Sequence, residues 1–158
     1  SLKKCLGSKS FKRGLPANQA KQQEWKYYTR PQLCDGGYAY NKTFGLCYKI
    51  FFEFMNRSDS MIKWESEGAK LIIIENAIEF KHIKNGLGGT YVWIGLRGVG
   101  PSSEWKWWNG KTASFILWYP IQPDHNRKQT DMCVSMYKGG FWDDDCSLVK
   151  CFICQKYI

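Results

Sequence analysis

The chain has 158 residues, 44% hydrophobic and 16% aromatic, with 7 cysteines and a formal net charge of +9. That length fits one domain with a substantial core, and the apolar content excludes a disordered chain. Membrane insertion is not expected: a span needs ~18 apolar residues, and the nearest run, Ala69 to Phe80, is broken by Lys70, Glu75, Asn76 and Glu79.

The charge is uneven. Residues 1–33 hold eight basic residues against Glu24 alone, a net +7, which leaves +2 for residues 34–158. This divides the chain into a basic N-terminal extension, 1–33, and a nearly neutral body, 34–158. Such an arm suits an anionic glycan, a lipid headgroup or a nucleic acid, but the plainer reading is a solubilising extension. No zinc-finger or RNA-binding motif accompanies it, so no nucleic-acid partner is expected. Seven cysteines and two sequons, Asn41-Lys42-Thr43 and Asn56-Arg57-Ser58, are compatible with an oxidising, extracellular location. The start, Ser1-Leu2-Lys3-Lys4-Cys5, reads as a mature N-terminus from which a signal has gone.

In chain order, Ala17 to Tyr28 suits a short helix between Gly14, Pro16 and Pro31. Cys34-Asp35-Gly36-Gly37 opens a hairpin that returns to Cys47-Tyr48, and two cysteines 13 apart at its base would pair readily. Tyr48 to Phe54 reads as a strand. Residues 56–67 form a predicted helix with Ile62 and Trp64 turned inward, stopped by Gly68. Leu71-Ile72-Ile73-Ile74 reads as a buried strand. Asn76 with Glu79 three places on marks a helix start, and Phe80, Ile83 and Leu87 follow at helical spacing. Tyr91 to Leu96 is a strong strand. Trp93, Trp105, Trp107 and Trp118 are assigned to the core, and His82 to a solvent-facing helix position. Phe115 to Lys128 is a long loop, and Met132–Met136 and Phe152–Tyr157 are closing strands. The order of elements gives an α+β domain.

Within that domain, Trp118 to Asp145 concentrates oxygen-bearing side chains. It contains Gln122-Pro123-Asp124, Asp131 two before Cys133, and Trp142-Asp143-Asp144-Asp145 just before Cys146. Oxygen donors on irregular backbone, pinned by cysteines, are what a hard cation such as calcium requires. A long ordered loop inside a compact domain also points to function.

These pieces together resemble the C-type lectin-like domain. The match covers residues 34–158. It rests on Cys34…Cys47-Tyr48, Gly68-Ala69-Lys70-Leu71, Trp93-Ile94-Gly95-Leu96, Trp105-Lys106-Trp107-Trp108-Asn109-Gly110, Trp118…Gln122-Pro123-Asp124, Cys133, Trp142-Asp143-Asp144, Cys146 and Phe152-Ile153-Cys154. The resemblance implies two helices, two small antiparallel sheets and a long calcium-binding loop. It implies Gln122, Asp124, Asp131, Asp143 and Asp144 as calcium ligands, with Pro123 cis. The family places two residues between its Asn-Asp pair and the following cysteine; this chain has one fewer. That leaves Asp144-Asp145 open as the pair, although counting from Trp142 favours Asp143 and Asp144.

The order Gln-Pro-Asp resembles the galactose-type site. The implied function is a calcium-dependent lectin for terminal galactose-type sugars, with two sugar hydroxyls on Ca2+. Gln122, Asp124, Asp131 and Asp143 would contact the sugar. The family's usual tryptophan after the tripeptide is missing; either His125 stacks in its place or the sugar binds in another orientation.

The resemblance also implies disulfides Cys34–Cys47 and Cys133–Cys146. The family's third bond joins its last cysteine, here Cys154, to the first helix, where this chain has Trp64. Cys5, Cys151 and Cys154 are left over. Cys151 and Cys154 should face opposite sides of a strand. Cys5 would pair with one of them, the leftover thiol joining two chains, or with its copy in a second chain. Either route predicts a disulfide-linked homodimer, a bivalent agglutinin for galactose-containing glycans. The alternative is a lectin-like module that binds a protein or an anionic surface without sugar. An enzyme is not expected. Cys151-Phe152-Ile153-Cys154 has redox spacing without the βαβ context, and His82 and His125 lack metal-protease spacing.

Overall fold

The computed structural model describes residues 34–99, 104–124 and 131–157, apart from the side chains of Val99 and Asp131. The expected helix over Ala17–Tyr28 and residues Cys5 and His125 lie outside the described residues. Among the described residues, eight strands and two helices follow in order: β1 (Ala39–Asn41), β2 (Leu46–Met55), α1 (Arg57–Ser66), β3 (Lys70–Leu71), α2 (Ala77–Gly86), β4 (Val92–Val99), β5 (Glu104–Trp107), β6 (Asp131–Tyr137), β7 (Gly140–Asp144) and β8 (Lys150–Tyr157).

The strands run β1-β2-β8-β4-β6-β7, with β3 beside β8 and β5 beside β4. Every pairing is antiparallel except β4 with β8, which pair in parallel through Val92↔Cys151 and Trp93↔Phe152. Two antiparallel lobes are therefore joined into one mixed sheet across that pair. Val92 to Leu96 is buried throughout, as a strand enclosed on both faces must be.

The first hairpin is closed by Cys34–Cys47, but the chain reverses at Asn41–Gly45 and not at the Gly-Gly pair. The Asn41 carboxamide drives that reversal. Its Oδ1 accepts from the backbone N–H of Thr43 (2.8 Å) and of Phe44 (3.3 Å). Its Nδ2 lies 2.7 Å from His82 Nε2, which is also 3.1 Å from the Tyr48 hydroxyl. His82 is exposed, as the sequence suggests, yet its ring joins α2 to the hairpin.

Helix α1 is capped by Asn56, whose side chain accepts from Asp59 N–H. Trp64 is buried, but Ile62 is 68% exposed. The inward placement of Ile62 is corrected by geometry: residues two apart on a helix lie about 200° apart, so one of the two must face out. Helix α2 begins as expected. Asn76 accepts from the N–H of Ile78 and Glu79, and Glu79 reaches back to Glu75 N–H at 2.6 Å, an arrangement worth about 1 kcal/mol. Phe80, Ile83 and Leu87 are buried.

The apolar run Leu71–Ile74 is buried, but only Lys70–Leu71 pairs as a strand. Beyond Leu71, Ile72 N–H donates to Ile153 O and Ile73 N–H to the Gln155 side chain (2.7 Å), so the buried backbone is satisfied without a ladder. Against this segment Gly95 leaves no room for a side chain. A Cβ there would stand 2.6 Å from Trp108 Cδ1 and 3.0 Å from Ile72 O.

Two apolar clusters meet at the sheet. One holds Ile74, Phe80, Ile94, Trp107, Phe141, Cys151 and Ile153; the other holds Trp64, Trp93, Phe152 and Cys154. Alternation along β8 sends Cys151 and Cys154 to opposite faces. Trp93 and Trp107 are fully buried, and Trp105 and Trp118 pack on the first cluster. Burying one such indole contributes on the order of 5 kcal/mol.

Candidate functional site

The site is built where the long loop meets β7. Glycine allows the approach. A Cβ at Gly140 would stand 2.6 Å from Tyr119 N and 2.7 Å from Leu117 O, and one at Gly139 would strike the Tyr119 ring. With no side chain there, Phe141 N–H donates to Leu117 O (2.6 Å) and Tyr119 N–H to Phe141 O (2.9 Å). The loop is thus laid beside β7. It then turns at Tyr119-Pro120-Ile121-Gln122, closed by Gln122 N–H to Tyr119 O at 2.9 Å. Pro120 suits the second place of that turn. Ile121 takes a left-handed φ of 68° at the third, where glycine is favoured. The Gln122–Pro123 peptide is cis, as the resemblance implied.

This delivers Gln122 and Asp124 to Asp143. Asp124 N–H donates to Asp143 Oδ1 (3.0 Å), and Asp143 N–H donates to Gln122 Oε1 (3.3 Å). Three of the expected site residues are therefore brought together by backbone N–H donors of one segment bonding to side-chain oxygens of the other. Gln122 and Asp143 are half-buried and Asp124 is exposed, so the cluster opens to solvent.

Asp144 sits elsewhere. Its Oδ2 accepts from Ser135 Oγ across the β6–β7 ladder and lies 3.2 Å from Lys150 Nζ. Asp145 caps the following turn: its Oδ1 accepts from Ser147 N–H and Oγ, each at 2.8 Å, and Leu148 N–H donates to its carbonyl. Asp131 opens β6 opposite Val99; its side chain, like His125, lies outside the described residues.

Behind the cluster lies a row of rings. Tyr119 stacks on Trp142 (4.4 Å), Trp142 stands edge-on to Tyr91 (5.9 Å), and Tyr91 stacks on Tyr137 (4.2 Å). Lys150 Nζ lies over Tyr91 at 4.7 Å, and burial raises the Tyr91 phenol above its usual range.

Strand β7 was not anticipated, because Trp-Asp-Asp-Asp carries little β propensity. Reading it as a strand would have sent Asp143 and Asp144 to opposite faces. Lys150 and Ser135 gave no signal in the sequence.

The donor set suits a hard cation: one amide oxygen and two carboxylates, with hydroxyl or water oxygens to complete the shell. Among the described residues, no three His, Cys, Asp or Glu side chains could hold an ion by themselves.

Both disulfides that the resemblance implies are formed. Cys133–Cys146 ties β6 to the chain after β7. Among the described residues, Cys151 and Cys154 are free and buried. Trp64 fills the helix position of the family's third bond, in the same cluster as Cys154.

The Lectin C-type domain profile matches residues 55–156, and the chain belongs to that family. It is a family of carbohydrate-binding domains and not of enzymes. A C-type lectin galactose-binding isoform from Pseudechis porphyriacus is 34% identical over 125 residues, covering 72% of this chain and 78% of that protein. The mouse scavenger receptor C-type lectin carbohydrate-recognition domain superposes with a TM-score of 0.70 at 26% identity, covering 78% of this chain and 98% of that one. A calcium-independent type II antifreeze protein shares the fold alone, with a TM-score of 0.68 at 22% identity over 78% of this chain and 94% of that one. No helix among the described residues is long and apolar enough to cross a membrane.

Proposed function

We propose that this protein is a secreted, calcium-dependent lectin for terminal galactose-type sugars. The observation that carries the reading is the convergence of Gln122, Asp124 and Asp143 across two segments of the chain. Asp131, on the strand that Cys133 anchors, would be a further ligand. Calcium, when bound, supplies open positions for two neighbouring sugar hydroxyls. The protein's part is to fix which pair of hydroxyls fits. Gln122 Nε2 donates to a hydroxyl oxygen, while Asp124 and Asp143 accept hydroxyl protons. With the amide first and the carboxylate last in Gln-Pro-Asp, donors and acceptors are ordered as in the galactose-type site. The name of the 34%-identical relative supports that choice. His125 follows at once and supplies a ring for the sugar's apolar face.

Cys151 and Cys154 are buried, which leaves Cys5 as the thiol for an interchain bond. A Cys5-linked homodimer would present two sites and act as a bivalent agglutinin of galactose-containing glycans.

Chromatography on immobilised galactose tests the reading. The protein should be retained in calcium and released by a chelator or by free galactose. Retention that ignores the chelator would overturn the calcium mechanism. Passage without retention would favour a module that binds a protein or an anionic surface.

A further inference from the structure

The fold places the two sequons, Asn41-Lys42-Thr43 and Asn56-Arg57-Ser58, in unlike surroundings. An N-linked glycan is bulky and hydrated, so its asparagine must open to solvent at Nδ2. Asn41 does not. It is the last residue of β1, is only 7% exposed, and has its carboxamide held from both sides. Oδ1 accepts from Thr43 and Phe44 N–H, and Nδ2 lies 2.7 Å from His82 Nε2. The His82 ring is in turn flanked edge-on by Phe44 at 5.4 Å and Tyr48 at 5.8 Å. A sugar on Asn41 Nδ2 would have to push His82 away from the hairpin.

Asn56 is the N-cap of α1, on extended backbone with φ -69° and ψ 171°. It is half-buried, and Ser58 and Asp59 beside it are exposed. Its Oδ1 accepts from Asp59 N–H (2.8 Å), and its Nδ2 donates to Asp59 Oδ2 (2.9 Å) at the surface. Glycosylation replaces one of the two Nδ2 hydrogens and leaves Oδ1 as it was. The cap therefore survives, and at most one exposed hydrogen bond is exchanged for water, which costs little.

We propose that Asn56 carries an N-linked glycan in the folded protein and that Asn41 does not. The proposal rests on the secreted character in the reading above, and not on its sugar specificity. The donor is an oligosaccharide carried on a lipid pyrophosphate. Asn56 Nδ2 attacks C1 of the first sugar, and the C1–N bond forms as the C1–O bond to the pyrophosphate breaks. The lipid pyrophosphate leaves with the bonding electrons, and Nδ2 gives up one proton. Transfer meets the chain before folding is complete, so both sequons are offered to the donor. Folding then separates them. A chain modified at Asn41 cannot seat its carboxamide between the hairpin turn and His82, whereas one modified at Asn56 keeps every buried contact.

Expression of the full chain behind a signal peptide in a eukaryotic secretory line tests this, with Ser58→Ala, Thr43→Ala and the double variant. Each change removes a sequon at an exposed residue and leaves both asparagines in place. The readout is the intact mass of the secreted protein before and after peptide-N-glycosidase, with the modified asparagine located by peptide mapping. Wild type and Thr43→Ala should each carry one glycan, at residue 56, lost on digestion. Ser58→Ala and the double variant should carry none. Wild type that stays in the cell, that is secreted bare, or that bears a glycan on Asn41 would overturn the proposal. Retention on immobilised galactose is read on the same samples. A glycan on Asn56 without retention upholds the site and removes the lectin reading, whereas retention of a bare wild-type chain does the reverse.

Discussion

Two loops of this molecule are closed in the same way and used differently. Cys34–Cys47 and Cys133–Cys146 each join cysteines 13 residues apart. In the first loop the polar groups serve the fold. The Asn41 carboxamide is spent on Thr43, Phe44 and His82, and Asp35 pairs with Lys156 at 2.7 Å, which holds its carboxyl below the usual range. The second loop is a hairpin, β6 and β7, whose acidic end reaches out to another part of the chain. Asp143 binds the backbone of Asp124 and takes Gln122 as its own acceptor. Covalent closure is thus neutral with respect to function. What separates the two loops is whether their side chains are consumed locally or offered to a second segment.

Breaking the disulfides should sharpen that contrast most strongly. Opening either loop, by Cys34→Ala with Cys47→Ala or by Cys133→Ala with Cys146→Ala, should cost about 3 kcal/mol of unfolding free energy, as loops of this length imply. Urea denaturation would measure this. The functional outcomes should diverge. The first pair should keep calcium-dependent galactose binding under conditions where it is folded, and the second should lose it. Equal loss in both would mean that the two loops are not functionally distinct.

A smaller effect concerns the thiol packed near the first loop. Burial pushes Cys154 up to about 12, with Glu67 acting in the same direction. The folded protein therefore favours the neutral thiol, while the unfolded chain ionises near the ordinary value of 9.0. This contribution to stability is fully present below pH ~9 and is lost as pH rises toward ~12. The urea midpoint of the wild type should fall more steeply over that window than that of Cys154→Ala. Identical slopes would show that Cys154 is not held as a neutral thiol.

Much of the scaffold was legible in the sequence because local and tertiary preferences agree there. Asn76 with Glu79 caps α2, and Phe80, Ile83 and Leu87 line its buried face. Trp93 and Trp107 lie in the core, and the long loop carries a cis Gln122–Pro123 peptide. The failures have physical causes. Ile62 was turned inward with Trp64, although a helix cannot bury both. Ile72 to Ile74 reads as a strand, but the Ile72 N–H bonds to Ile153 O and the Ile73 N–H to the Gln155 side chain, outside any ladder. Strand β7 escaped notice because it is held by pairing with β6 and by the Cys133–Cys146 bond, and not by its own composition. Missing it hid the difference between Asp143 and Asp144. At the site, then, residue types were readable, but the faces they occupy were not.

The central claim is that the second loop and the Gln122–Asp124 segment together make a calcium-dependent galactose site. A glycan array probed in calcium and again in chelator tests it most directly. Galactose-terminated glycans should give signal in calcium and lose it in chelator. Galactose binding that persists in chelator, or a calcium-dependent pattern led by mannose-type sugars, would contradict it.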